Sequence, residues 1–151
     1  MPELMTTAER IVNAVVAQLQ TVWPETTNGV RVVSEQEMSV DTPWVTVLFD
    51  GDETDEVSGE SAKATMNLVI EAHQLGRPGG AHVLQPDGIH LIGLIKQALV
   101  ANRGYLRGLA LVNQTSISST SLRLPDENQR ALGVAVTLSI PYTERYSQIF
   151  K

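Results

Sequence analysis

Leu132-Gly133-Val134-Ala135-Val136-Thr137-Leu138-Ser139-Ile140-Pro141-Tyr142 decides the fold. Leu132, Val134, Val136, Leu138, Ile140 and Tyr142 alternate onto one face; Ala135, Thr137 and Ser139 take the other. Successive side chains of a strand point to opposite faces, so this period of two predicts a long half-buried antiparallel strand. Upstream, a polar strand-like run from Leu109 to Ser121 and the turn Leu124-Pro125-Asp126-Glu127-Asn128-Gln129 predict its hairpin partner. Half of that hairpin's surface is too rich in hydroxyls for a core, and it reads as a surface made for other protein subunits.

Working outward, Thr6-Thr7-Ala8-Glu9 has capping-box spacing. Ile11, Val12, Val15, Val16, Leu19, Val22 and Trp23 then recur at helical spacing until Pro24 stops the helix. A short strand is expected at Val30-Arg31-Val32-Val33. Trp44-Val45-Thr46-Val47-Leu48-Phe49, apolar on both faces, predicts an interior strand. The acidic stretch Asp50 to Glu60 reads as a loop. Lys63 to His73 alternates again, with Ala64, Met66, Leu68, Ile70 and Ala72 on one face. Leu75 to Gly80 is a flexible connector. A second helix is predicted from about Val83 to Arg103, with an apolar stripe of Leu91, Ile92, Leu94, Ile95, Ala98 and Leu99 and a C-cap at Gly104. Pro86 and Gly88 weaken its start, which places the regular part from Asp87. The expected fold is α+β: a mostly antiparallel sheet of about five strands with two main helices packed on it. The order is helix, three strands, helix, two strands. One domain spans 1–151, with a short C-terminal tail from about 143, where Tyr142, Tyr146 and Phe150 gather aromatic groups suited to a partner or to a fold-back over the core.

The chain of 151 residues has no cysteine, which excludes disulfides and thiolate metal sites. It shows no basic segment followed by an apolar run, so no signal peptide is expected. No stretch approaches the roughly 18 apolar residues of a membrane span, so a soluble intracellular protein is expected. The net charge of −6 argues against nucleic-acid recognition. Its distribution is uneven: residues 1–80 hold 4 basic and 13 acidic side chains, residues 81–151 hold 7 and 4. Two readings follow: chance plus one acidic loop, or a two-sided particle whose acidic surface meets a basic surface on its neighbour.

The acidic loop resembles a calcium loop only at a glance. An EF-hand needs glycine at its sixth position and glutamate at its twelfth; counted from Asp50 those places hold Asp55 and Ser61. His73, His82 and His90 lack the spacing of a helical zinc pair. There is no Gly-x-Ser-x-Gly elbow, no Walker phosphate loop and no dinucleotide fingerprint. No catalytic residue, cofactor or metal is assigned. Two rivals from other classes stay open: a small metal-dependent hydrolase using the acidic loop, and a small-molecule binding module. As interface candidates the charges stand out: Asp52, Glu53, Asp55 and Glu56 in the acidic loop, and opposite them a basic stripe of Lys96, Arg103 and Arg107. Arg123 and Arg130 flank the terminal turn and could contact a further partner.

The whole arrangement resembles the tail terminators of long-tailed bacteriophages (minor tail proteins of the U type, also called tail-completion proteins). The resemblance rests on Glu9-Arg10-Ile11 in the first helix, Pro43-Trp44-Val45-Thr46-Val47 and the acidic stretch after it. It continues through Asn102-Arg103-Gly104-Tyr105-Leu106-Arg107-Gly108, the strand through Thr115, Leu124-Pro125-Asp126-Glu127 and Ile140-Pro141-Tyr142-Thr143. Arg107-Gly108 stands where a Gly-Gly-like turn is expected. The resemblance implies a non-enzymatic structural protein of the virion tail, assembled in the host cytoplasm. It implies a homohexameric ring that caps the tail tube, ends polymerisation of the major tail tube protein, and offers a joining surface to a head-completion or neck protein. DNA would pass through the ring without sequence recognition, and no membrane is involved. Another head–tail connector or a baseplate component is the nearest alternative.

Overall fold

Two strands of 15 residues form the spine of the molecule, β3 (Ser61–Leu75) and β5 (Ala131–Arg145). They pair antiparallel without interruption from Ser61↔Arg145 to Leu75↔Ala131. At about 3.3 Å per residue this ladder is roughly 50 Å long. The computed structural model describes residues 5–29, 33–126 and 128–145, and of Glu56 the backbone alone. Around the spine stand α1 (Thr7–Gln20), β1 (Thr27–Asn28), β2 (Trp44–Ser58), α2 (Ala81–Val100) and β4 (Ser116–Arg123). The strand order is β1-β2-β3-β5-β4 among the described residues. The fold is α+β in the expected succession, but the sheet is mixed, because β1 runs parallel to β2 at Thr27↔Thr46 and Asn28↔Val47.

The alternation read from the sequence decides which face is covered. Met66, Leu68 and Ile70 of β3 and Val136, Leu138 and Ile140 of β5 are fully buried, as are Ile11, Val15 and Leu19 of α1 and Ile95 and Leu99 of α2. Both helices lie on this one face: α1 over β1, β2 and β5, and α2 over β5 and β4. The other face carries Thr65, Asn67, Val69, Ala135, Thr137 and Ser139, all half-buried.

Several expectations are corrected. Residues 50–58 are strand, not loop: β2 runs on through them, paired with β3 as far as Ser58↔Ser61. The acidic composition hides the strand, because a strand can carry its charges into water while its backbone pairs with a neighbour. The strand assigned to Val30-Arg31-Val32-Val33 falls largely on 30–32, outside the described residues; the observed short strand is β1. The polar run from Leu109 becomes strand only at Ser116, because Val112–Gln114 forms a 3-10 turn. α2 begins at Ala81 with Pro86 inside it and ends at Val100, where Ala101 is the C-cap in place of Gly104. Pro86 faces solvent, so its lost hydrogen bond disturbs no packing. Leu94 is 36 % exposed and does not belong to the apolar stripe. The supposed tail remains in β5 as far as Arg145, and Tyr142 is buried in the sheet's covered face. Tyr146, Phe150 and the turn residue Glu127 lie outside the described residues.

α1 is capped twice. Thr6 Oγ1 accepts from the Glu9 backbone N–H at 3.1 Å and donates to Glu9 Oε1 at 3.2 Å, a capping box closed through the hydroxyl. The Thr7 backbone N–H donates to both carboxylate oxygens of Glu144 at 2.9 Å. Glu144 is buried, and the helix N-terminus supplies the positive end of a dipole to its charge. At the other end of the sheet α2 approaches β4 so closely that a Cβ on Gly88 would lie 2.3 Å from Leu122 Cδ1.

Two stability measurements check this account. Glu144→Gln keeps the shape and removes the charge, and should cost about 1–2 kcal/mol, the range for a charge-assisted bond at a helix N-terminus. The urea midpoint should fall at an unchanged m-value. Gly88→Val forces α2 off β4 and should cost about 1–3 kcal/mol, the usual penalty for overpacking, seen as a lowered melting temperature.

Candidate functional site

Beyond Phe49 the acidic residues ride on the outer arm of β2. Register shifts between Phe49 and Asp52 and between Thr54 and Glu56 mark two irregularities in its pairing with β3. The arm turns back through Gly59-Glu60, where Gly59 has φ +59 and no other residue type has positive φ. Positive φ at the first central residue alone is the requirement of a type II′ hairpin, and glycine meets it without strain. Among the described residues β1 covers β2 at Thr46 and Val47. From Phe49 to Ser58 the outer edge of β2 has no strand against it among the described residues.

The four predicted acids of this arm are not equivalent. Asp52 Oδ2 accepts from the Tyr142 hydroxyl at 2.6 Å. Asp55 Oδ2 accepts from the Thr65 hydroxyl at 3.1 Å. Glu53 is exposed and makes no hydrogen bond or ion pair among the described residues. The side chain of Glu56 lies outside the described residues, while its backbone pairs opposite Lys63.

The segment after α2 builds the basic counterpart. Leu106 is fully buried and anchors it. Asn102 Oδ1 accepts from the Gly104 N–H at 3.0 Å, and the Tyr105 hydroxyl donates to the Leu99 carbonyl at 2.7 Å, satisfying a carbonyl in the last turn of α2. The Leu111 N–H donates to the Pro141 carbonyl at 2.9 Å. Burial pushes the Tyr105 phenol up to about 12. Held this way, residues 100–104 with Arg107, Val112 and Asn113 line a cleft of about 510 Å³. Arg103 Nη1 donates to the Val112 carbonyl at 3.3 Å, and Arg103 Nε is buried without an acceptor. Arg107 is exposed at the rim.

On the other flank of the same segment, a cleft of about 340 Å³ is lined by Arg10 and Arg145 with Thr7, Thr143 and residues 108–111. None of these four arginines has an ion pair among the described residues. Arg10 and Arg145 were not picked out from the sequence. They meet only because α1 is pinned to the end of β5, and no local spacing signals that.

Of the expected basic stripe, only Arg103 and Arg107 come together. Lys96 is half-buried on α2 and does not line the cleft. The helix ends before Arg103, so the three never share a helical face. Arg123 and Arg130 sit at the far end of the sheet: Arg123 pairs opposite Gly133, and the Arg130 N–H donates to Glu35 Oε1 at 2.7 Å. That end is about 40 Å along β5 from the acidic turn, at ~3.3 Å per residue.

The remaining polar groups offer less. Arg77 grips Asp87 at 2.6 and 2.8 Å beside His90, in a cleft of about 330 Å³. The Arg77 hydrogen bond holds the Asp87 carboxyl below the usual carboxylate range. His73 Nε2 lies 3.8 Å from Glu71 on the uncovered face. Among the described residues no three His, Asp or Glu side chains gather as a metal site, and no helix is long and apolar enough to cross a membrane. No protein-family model matches this chain, and no curated protein sequence matches it either.

Tyr105 gives the basic segment a measurable signature. Its folded pKa is raised from 10.0 to about 12, so the neutral phenol favours the folded state. That contribution is complete below the unfolded value near 10 and is lost as pH climbs towards 12. Tyr105→Phe should remove this alkaline loss while costing about 1 kcal/mol at neutral pH for the missing hydrogen bond. Denaturant melts of both chains across the alkaline range check the two effects together.

Proposed function

We propose that the protein is a structural assembly protein of the tail-terminator type, a ring that caps a phage tail tube, ends its polymerisation and presents the joining surface to the head or neck. One observation carries the reading beyond the sequence resemblance. The acidic arm belongs to β2, on one side of the sheet, and the Arg103–Arg107 cleft belongs to the α2–β4 side. Complementary charges on opposite flanks favour a head-to-tail contact, in which each subunit offers one surface and receives the other. Repetition of such a contact closes into a ring when the rotation allows. Charge complementarity of this kind sets register and partner choice more than raw affinity.

Solution mass by light scattering, across protein concentration and salt and with or without purified tail tubes, tests the reading. A hexamer, or a monomer that becomes a ring on tubes and fixes their length, supports it. A monomer at every concentration that leaves tube growth unchanged discards it. Retention on a connector or baseplate protein in place of the tube would move the chain to another position in the same particle.

A further inference from the structure

The Arg103–Arg107 cleft is unfinished in the single chain. A guanidinium carries five N–H donors in a planar fork suited to a carboxylate. Among the described residues Arg103 uses one of them, in a long bond of 3.3 Å to the Val112 carbonyl, and its buried Nε meets no acceptor. A buried donor left unsatisfied is costly, and a positive group half removed from water gains most from an anion. The arm of β2 supplies the opposite case: Glu53 is an exposed carboxylate on a strand edge that no described strand covers, with no partner among the described residues. The arm lies on β2, while the segment that lines the cleft is fastened to β5 by the Leu111 N–H on the Pro141 carbonyl, with β3 and β5 standing between the two.

We infer that the cleft is a carboxylate-binding socket and that its occupant is the acidic arm of a second copy of this chain, with Glu53 the leading group. The inference rests on the assembly reading above and adds its contact. Asp52 and Asp55 hold the arm rather than the neighbour: their carboxylates accept from the hydroxyls of Tyr142 on β5 and Thr65 on β3, which fasten the arm to the sheet. Arg103 forms the floor of the socket and Arg107 its exposed rim. The contact is heterologous, so every copy gives one arm and receives one.

Charge reversal tests this through mixing. Arg107→Glu and Glu53→Arg both change exposed side chains and should leave the fold intact, as far-ultraviolet circular dichroism and melting will report. Each variant alone places like charges at every junction and should weaken self-association at least tenfold, read by light scattering at low salt. Mixed one to one, the two variants form only complementary junctions: a basic arm meets an acidic socket, and a native arm meets a native socket. Association should then return to within about threefold of the wild type. Single variants that assemble like the wild type would discard the socket and leave the assembly reading standing. Variants that fail alone and also fail when mixed would discard the pairing of arm with socket. A wild type that never associates, alone or on tail tubes, removes both the socket and the reading it rests on.

Discussion

The uninterrupted pairing of β3 with β5 is the constraint from which the rest follows. Because side chains alternate with a period of two, one register places a whole series of apolar groups on the same side, and a slip by one residue would send them all to water. Fifteen paired positions make such a slip prohibitive. The helices are then bound to one face, since only there is apolar surface to cover. The two flanks of the sheet are left to β2 and β4, and the polar face is left open.

Where charge sits in this frame is a matter of distance from the spine. Near its start, β2 lies between β1 and β3 and carries Val45 and Val47, both buried. Past Phe49 it has a neighbour on one side only among the described residues, and it turns acidic. An unprotected strand edge invites indiscriminate pairing, and charge is a common safeguard against it. The same charges can also select: they repel like edges and admit a basic surface. β4 shows the contrast. Its Ser116–Ser121 stretch has no charged group, and half-buried Leu122 packs against α2 through the space that Gly88 leaves.

The fold was legible where periodicity was clean. Leu132 to Tyr142 and Ala64 to Ala72 named their buried faces correctly, and Thr6 and Glu9 marked the start of the first helix. Legibility failed where two signals competed. From Asp50 to Ser58 acidic composition masked a strand whose register bends twice. Around Pro86 a helix-breaking residue masked a helix that tolerates it on its solvent side. Of the basic stripe, Arg103 and Arg107 line one cleft and Lys96 does not, because α2 ends at Val100 and a turn, not a helix face, brings the two arginines together. Arg10 and Arg145 were invisible because 135 positions of chain separate them, and their meeting depends on a tertiary contact between Thr7 and Glu144.

That contact also bears on the order of events during synthesis. α1 receives its carboxylate cap from a residue 137 positions later in the chain. Until then it has an amphipathic stripe but no sheet to lie on, because β5, the strand beneath it, has not been made. Helices of about this length are marginal in water without tertiary support. The chain is therefore held from folding early on its own N-terminal portion, and its first element becomes secure only when the spine is closed.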